Sequence, residues 1–182
     1  MIETNRLILR QFKESDLDDM FEYTHQENVG PRAGWQPHKS KEDTLKYLRS
    51  IKDNPNNFAI VLKEENKVIG AIDLKDVSDR FSSVSVKPDA KEIGFVLNEN
   101  YWSKGYVSEA LDALLNYAFR TLGISEIVGS HDSKNIGSEK VQEKNGMKQI
   151  GTLNDGRVWI DGSASYTILR KITKEEYMDR KV

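Results

Sequence analysis

A single α+β domain with a central mixed, mostly antiparallel twisted sheet is the fold class this sequence predicts. Three observations carry that expectation. Short runs with period-two alternation recur from one end of the chain to the other, the pattern of strands. Leu111, Leu114, Leu115, Ala118, Phe119 and Leu122 keep one apolar stripe at helical spacing. No internal repeat, low-complexity tract or linker interrupts the 182 residues, so residues 1–182 read as one domain.

The elements follow in order. Leu7, Leu9 and Gln11 alternate with Arg6, Ile8 and Arg10, which predicts a first strand from Asn5 to Phe12. Ser15 is read as the cap of a helix carrying Leu17, Met20 and Phe21 on one face. Asn28 to Lys39, rich in Gly and Pro, is expected to be loop. Ser40 caps a second helix with Leu45, Leu48 and Ile51 in register. Phe58–Leu62 and Val68–Leu74 are predicted strands joined by a tight hairpin at Glu65–Lys67. Ser78–Lys91 is polar and irregular, either an extension of that hairpin or a loop. Ile93–Leu97 is the next strand, and the long helix follows it, ended by Gly123. A strand at Ile127–Ser130, a short helix at Ile136–Lys144 and two strands near Met147–Leu153 and Ala164–Ile172 complete the chain.

Composition narrows the function classes. Hydrophobic residues make up 37% and charged residues 31%, enough for one core under a solvated surface. A net charge of −2 gives no basic excess for nucleic acid or an anionic membrane. Cysteine is absent, which removes disulfides, thiolate metal sites and a cysteine nucleophile. The start MIETNRLILRQF has no apolar signal core, so a cytosolic location is the default expectation.

Three local features bear on chemistry. Trp102-Ser103-Lys104-Gly105-Tyr106-Val107 lies between a strand and the long helix. Gly105 allows close backbone approach, and the free N–H groups of a first helical turn favour an anion. An ordinary connection with a useful glycine reads the same way. Gly94, inside the preceding strand, suggests either a bulge that frees backbone N–H groups or a packing glycine. Asn135-Ile136-Gly137-Ser138 opens the short helix; Asn135 suits capping, or a ligand hydrogen bond with Ser138 as a proton donor.

Together, in this order, these features resemble the GCN5-related N-acetyltransferase superfamily. Its signature turn has Gln or Arg, then Gly three residues on, then Gly or Ala two further. Trp102, Gly105 and Val107 occupy those positions here. Trp at the first of them is similar to the branch of ribosomal-protein N-terminal acetyltransferases. Thr4-Asn5-Arg6-Leu7-Ile8-Leu9-Arg10, Glu92-Ile93-Gly94-Phe95 and the set Asn135, Ser138, Lys144, Gly146 resemble that branch too, with Met147 where it has an aromatic residue.

The resemblance implies the fold, with helices on both faces of the sheet, and direct transfer of an acetyl group from acetyl-CoA to an amine. Backbone N–H groups of Ser103, Lys104, Gly105, Tyr106, Val107 and Ser108 would hold the diphosphate. Backbone groups of Val96, Leu97 and Asn98 would pair with the pantetheine, an N–H near Val96 or Leu97 would hold the oxyanion, and Asn135 would add a hydrogen bond. Glu92 is the candidate base, with a surface carboxylate or ion-pair partner as the alternative. Gln142 stands where many members have a Tyr acid, which leaves Ser138 as the group beside the leaving thiolate. Trp35 and His38, in the Gly/Pro-rich loop, are candidates for the acceptor wall, although Trp35 could equally pin its loop to the core. Tyr166 could face the sulfur, although core packing is commoner. His131-Asp132 could reach the cleft, against ordinary expectation. Three scattered histidines make no metal site. The acceptor is expected to be a protein or peptide N-terminal amine. A polyamine, amino acid or antibiotic amine, or acyl-CoA binding without chemistry, are the other readings; the oligomeric state is not legible.

Overall fold

The computed structural model describes residues 1–180. The chain gathers into two compact units. The first holds Met1–Asp73 and Phe95–Ala113; the second holds Leu74–Gly94 and the described residues from Leu114 on. Among the described residues eight strands, β1 (Ile2–Glu3), β2 (Leu7–Arg10), β3 (Asn57–Leu62), β4 (Lys67–Asp76), β5 (Lys91–Leu97), β6 (Glu126–Asp132), β7 (Lys148–Leu153) and β8 (Thr167–Thr173), form a sheet in the order β1-β2-β3-β4-β5-β6-β8-β7.

In the first unit, β1 (Ile2–Glu3), β2 (Leu7–Arg10) and β3 (Asn57–Leu62) pair antiparallel with one another and with β4 (Lys67–Asp76). The alternation that predicts β2 is what orients it: Leu7 and Leu9 are wholly buried and pair with Leu62 and Ile60. The strand is shorter than its apolar pattern. The β3–β4 hairpin turns through Asn66, which takes φ 49°. Helices α1 (Leu17–Thr24) and α3 (Lys41–Ile51) cover this sheet. Met20, Tyr23 and Leu48 pack there with Phe12, Ala59, Val61 and Val68.

Ser40 caps α3 as expected, accepting the Asp43 N–H at 3.2 Å. Ser15 does not cap α1. A 3-10 turn, Glu14–Asp16, precedes that helix, and the Asp16 carboxylate takes the Lys13 N–H at 2.8 Å and the Arg10 guanidinium. Acceptance by a charged side chain with two oxygens outweighs a hydroxyl one residue earlier. The expected loop at 28–39 contains one helical turn, α2 (Gly30–Ala33). Pro31 sits in its first turn and Gly34 closes it at φ 90°.

In the second unit, the start of β5 (Lys91–Leu97) runs parallel to β6 (Glu126–Asp132), with Lys91 opposite Ile127 and Glu92 opposite Val128. Strand β6 pairs antiparallel with β8 (Thr167–Thr173), which pairs antiparallel with β7 (Lys148–Leu153). Helix α5 (Ile136–Lys144) lies between β6 and β7 in sequence. Residues 78–91 do not extend the hairpin. They make a 3-10 turn at Asp79–Phe81 that sinks Phe81 against Val128 and Leu169. A last helix, α6 (Lys174–Asp179), was not expected. Thr173 and Glu176 form its capping box, and the Tyr177 ring packs tilted against Phe119 with ring centroids 5.3 Å apart.

Candidate active site

The turn ahead of α4 (Tyr106–Arg120) lies in the first unit and is built from three directions. A 3-10 turn at Glu99–Tyr101 leads into it. Ser103 and Gly105 then take left-handed conformations, φ 63° and 81°. Such a value costs a serine energy, so the surrounding contacts must impose it. Trp102 supplies one of them: its indole N–H donates to the Leu97 carbonyl at 2.9 Å. The residue that departs from the family's signature therefore ties the turn to the strand before it. Gly105 sits in open space, its missing Cβ meeting only Arg6 Nη2 at 3.6 Å. Ser103, Lys104 and Gly105 are exposed, whereas the side chains of Val107 and Ser108 are buried.

The far side of the turn is held by the chain's N-terminal segment. Glu109, in the first turn of α4, accepts the Thr4 hydroxyl at 2.6 Å and the Arg6 backbone N–H at 2.9 Å on one oxygen. Its other oxygen takes Arg6 Nε at 2.7 Å. Arg6 Nη1 donates to the Lys104 carbonyl at 3.0 Å, and the guanidinium stacks on the Tyr106 ring, 4.4 Å from its centroid. Burial pushes the Glu109 carboxyl up, but the bonds from Thr4 and Arg6 hold it below the usual range. Sequence reading noticed Thr4 and Arg6 only as parts of a motif and missed Glu109. The one available signal was that the motif and the turn occur in the same chain.

Three backbone positions on β5 and just after it were expected to pair with the pantetheine, and they are not equivalent. The Asn98 N–H already donates to the Ile69 carbonyl at 2.8 Å, and the Asn98 carbonyl accepts from Tyr101 at 3.0 Å. Asn98 therefore has no N–H to offer; the strand it ends is still laddered to β4 there. The Asn98 side chain is wholly buried, bonded to Glu22, Gln26 and the Asn100 N–H. The Val96 carbonyl also faces β4, where a Cβ on Gly70 would stand 2.3 Å from it. The backbones of β4 and β5 approach each other closely at Gly70. Successive residues of an extended strand point their N–H groups to opposite edges. Leu97 N–H is therefore directed away from β4.

The other candidates lie in the second unit. Glu92 is 1% exposed, so it is no surface carboxylate. Its Oε2 accepts the Ser78 N–H at 3.0 Å, and its Oε1 lies 3.9 Å from Arg80 Nε and 4.0 Å from Lys75 Nζ. Asn135 caps α5, its Oδ1 accepting the Ser138 N–H at 3.2 Å. Ser138 is half-buried. Gln142 is buried over Gly129, its amide donating to the Ser130 carbonyl at 3.4 Å.

Trp35 is half-buried against the apolar cluster under α1 and α3, and its indole covers Gly30, where a Cβ would meet it at 2.6 Å. His38 is joined through Nδ1 to Thr44 at 2.8 Å, and Thr44 is joined to Thr24 at 2.9 Å. Burial lowers the His38 pKa, with Asp43 opposing. Tyr166 is 45% exposed and does not pack into the core. It lines an open surface pocket of about 410 Å³ with Thr152, Asn154, Ala164 and Ser165. His131 is buried and spent on structure: Nδ1 bonds the Asp132 carbonyl and Nε2 takes Arg170 Nε at 3.0 Å. Among the described residues no helix is long and apolar enough to cross a membrane.

Comparison with known proteins shows the family. A family model described as an acetyltransferase (GNAT) domain matches residues 6–148. The uncharacterized N-acetyltransferase YnaD of Bacillus subtilis (strain 168) is 32% identical over 168 residues, 88% of this chain and 92% of that protein. The uncharacterized N-acetyltransferase p20 of Bacillus licheniformis is 27% identical, covering 84% of each chain. A crystal structure of a GNAT-family acetyltransferase from Bacillus anthracis superposes with a TM-score of 0.77 at 26% identity, over 96% of this chain and 98% of that one. The chain belongs to the GNAT acetyltransferases, and it is an acyltransferase that moves an acetyl group from acetyl-CoA to an amine.

Proposed function

We propose that the acceptor is the N-terminal amine of a protein or peptide, of the ribosomal-protein type, and that residues 1–182 act as one catalytic domain. The observation that carries the reading is the meeting of Thr4, Arg6 and the Lys104–Tyr106 turn around Glu109, more than a hundred residues along the chain from the first two. Motifs that resemble the ribosomal-protein branch at separate points of the sequence are thereby one physical unit. A second observation weighs against a polycation. Glu22 is bonded to Lys67 and Asn98, Glu65 to Tyr101, and Glu99 to Asn28, so these carboxylates of the first unit already have partners.

In this reading the backbone of Ser103 through Ser108 holds the diphosphate. Val96 and Leu97 align the pantetheine, and the Leu97 N–H, turned away from β4, holds the oxyanion that forms when the amine attacks the thioester. Fixing amine and thioester together removes much of the entropic barrier. Glu92, directly or through a water, takes the proton that the ammonium of an N-terminus must lose. Ser138 hydrogen-bonds the departing thiolate; with a thiol pKa of about 8.5, full protonation is not required there. The Asn135 Oδ1 caps α5, and Asn135 adds a hydrogen bond to the cofactor. Trp35 and His38 form part of the acceptor wall. The protein acts in the cytoplasm.

The test is release of CoA thiol with a panel of acceptors. Peptides with a free N-terminus should turn over, and the same peptides blocked at the N-terminus should not. Faster turnover of spermidine, free amino acids or an aminoglycoside would overturn the peptide reading. Glu92→Gln should lower kcat about 100-fold while leaving CoA affinity within about twofold. Wild-type rates would remove Glu92 from the mechanism.

A further inference from the structure

We propose that Arg6 is a positioning residue for the diphosphate turn: its guanidinium cancels the charge of Glu109 and holds the Lys104 carbonyl aside, so the turn's N–H groups meet an anion unopposed. The inference rests on reading Ser103–Ser108 as the diphosphate cradle.

The start of α4 holds a conflict. An acidic side chain in a first helical turn stabilises the helix by facing its positive end. The same position is unfavourable for a protein that must bind an anion there, because the carboxylate competes for the dipole and repels the ligand. Glu109 occupies it. The Lys104 carbonyl is a second negative end beside the turn.

One cation answers both. Arg6 Nε lies on Glu109 Oε2 at 2.7 Å, and Nη1 lies on the Lys104 carbonyl at 3.0 Å. Nη2 is 3.6 Å from where a Cβ on Gly105 would stand. The ring of Tyr106 supports the guanidinium plane from one face. Thr4 and the Arg6 backbone occupy the remaining carboxylate oxygen. Glu109 is left with no oxygen free of a donor, and the guanidinium, 41% exposed, keeps its positive face at the mouth of the turn. A lysine carries the charge but not the planar fork that reaches a carboxylate and a carbonyl together.

The experiment measures dissociation constants by calorimetry for CoA and for pantetheine, which lacks the diphosphate. Arg6→Gln should weaken CoA about 10- to 30-fold, the scale of a lost charge-assisted bond, and leave pantetheine within about twofold. Arg6→Lys should fall between. The double variant Arg6→Gln with Glu109→Gln should regain most of the lost CoA affinity, because the charge that Arg6 answers is gone. Equal weakening of CoA and pantetheine would mean that Arg6 only holds the fold together. No recovery in the double variant would also overturn the proposal. If Arg6→Gln misfolds, Arg6→Lys and Glu109→Gln read the same coupling. Gly105→Glu separates the two levels. Loss of CoA there with no effect at Arg6 refutes this inference and keeps the cradle; no effect at either position refutes the cradle.

Discussion

The turns that lead into α4 and α5 are built in opposite ways. The turn before α5 is local. Asn135 reaches three residues ahead, its Oδ1 takes the Ser138 N–H, and the start of the helix is partly satisfied by its own cap. The turn before α4 is assembled from distant parts. Two left-handed residues shape it, Trp102 ties it back to Leu97, and Thr4 and Arg6 brace it through Glu109. A cap that satisfies a helix start leaves less for a ligand. A brace that comes from outside the turn acts through Glu109 and the Lys104 carbonyl and takes none of the turn's own N–H groups. The two helix starts therefore suit different tasks, although both read as turn-then-helix in the sequence.

The largest effect should come from placing a charge in the braced turn. Gly105→Glu is expected to weaken CoA at least a hundredfold by crowding and repelling the diphosphate. Gly105→Ala is the control, since it carries only the cost of a side chain at φ 81°, about 1–2 kcal/mol. Calorimetric titration of both variants decides the matter. Equal CoA affinity in wild type and Gly105→Glu would mean that the two turns do not differ in the way described.

Gly70→Ala probes the braced turn from farther away. Its Cβ would stand 2.3 Å from the Val96 carbonyl, so β4 or β5 must shift. Overpacking of this kind costs about 2–3 kcal/mol. Because Val96 and Leu97 lead directly into the turn, CoA affinity should fall along with the denaturation midpoint. A stability loss with unchanged affinity would show that the turn does not depend on where the strand lies.

What was legible in the sequence follows the same division. Ser40, Asn135 and the stripe of α4 announce themselves within a few residues, because capping and amphipathicity are local. The brace was not legible, since no local pattern says that Glu109 will meet Thr4 and Arg6. Asn98 failed for a related reason: whether its N–H is free depends on β4, not on its own neighbours. The turn α2 was hidden because Gly and Pro, counted as loop formers, also suit the two ends of a short helix. Ser15 and Asp16 were both reasonable caps by type, and the partnership of Asp16 with Arg10 decided between them.

The local turn should respond more modestly. Asn135→Ala is expected to cost about 1 kcal/mol of stability, the usual worth of such a cap. Asn135→Asp keeps the acceptor and should restore that stability. It should still lower CoA affinity about fivefold, because the side-chain amide that bonds the cofactor is lost. Chemical denaturation and titration separate the two roles. Stability lost equally in both variants would show that Oδ1 is not the group that matters.

The smallest effect is one of pH, and it lies in the second unit. His131 is buried, and burial lowers its pKa below the ordinary imidazole value of 6.5; the Asp132 carbonyl, Glu139 and Glu143 oppose that shift, and Arg170 adds to it. Geometry agrees on the neutral form. Arg170 Nε donates to Nε2, which must therefore carry a lone pair. A base whose pKa is lower in the folded state binds fewer protons there than in the unfolded chain. Its contribution to stability is full above the unfolded pKa and is lost as pH falls through the folded one. Wild type should therefore lose stability as pH drops below about 6.5, before the depressed carboxylates such as Glu109 and Asp155 contribute. His131→Gln can still accept from Arg170 but does not titrate, so its melting temperature should fall less between pH 7 and pH 5. Parallel profiles for the two proteins would mean that the imidazole is protonated without cost, and that Arg170 does not depend on it.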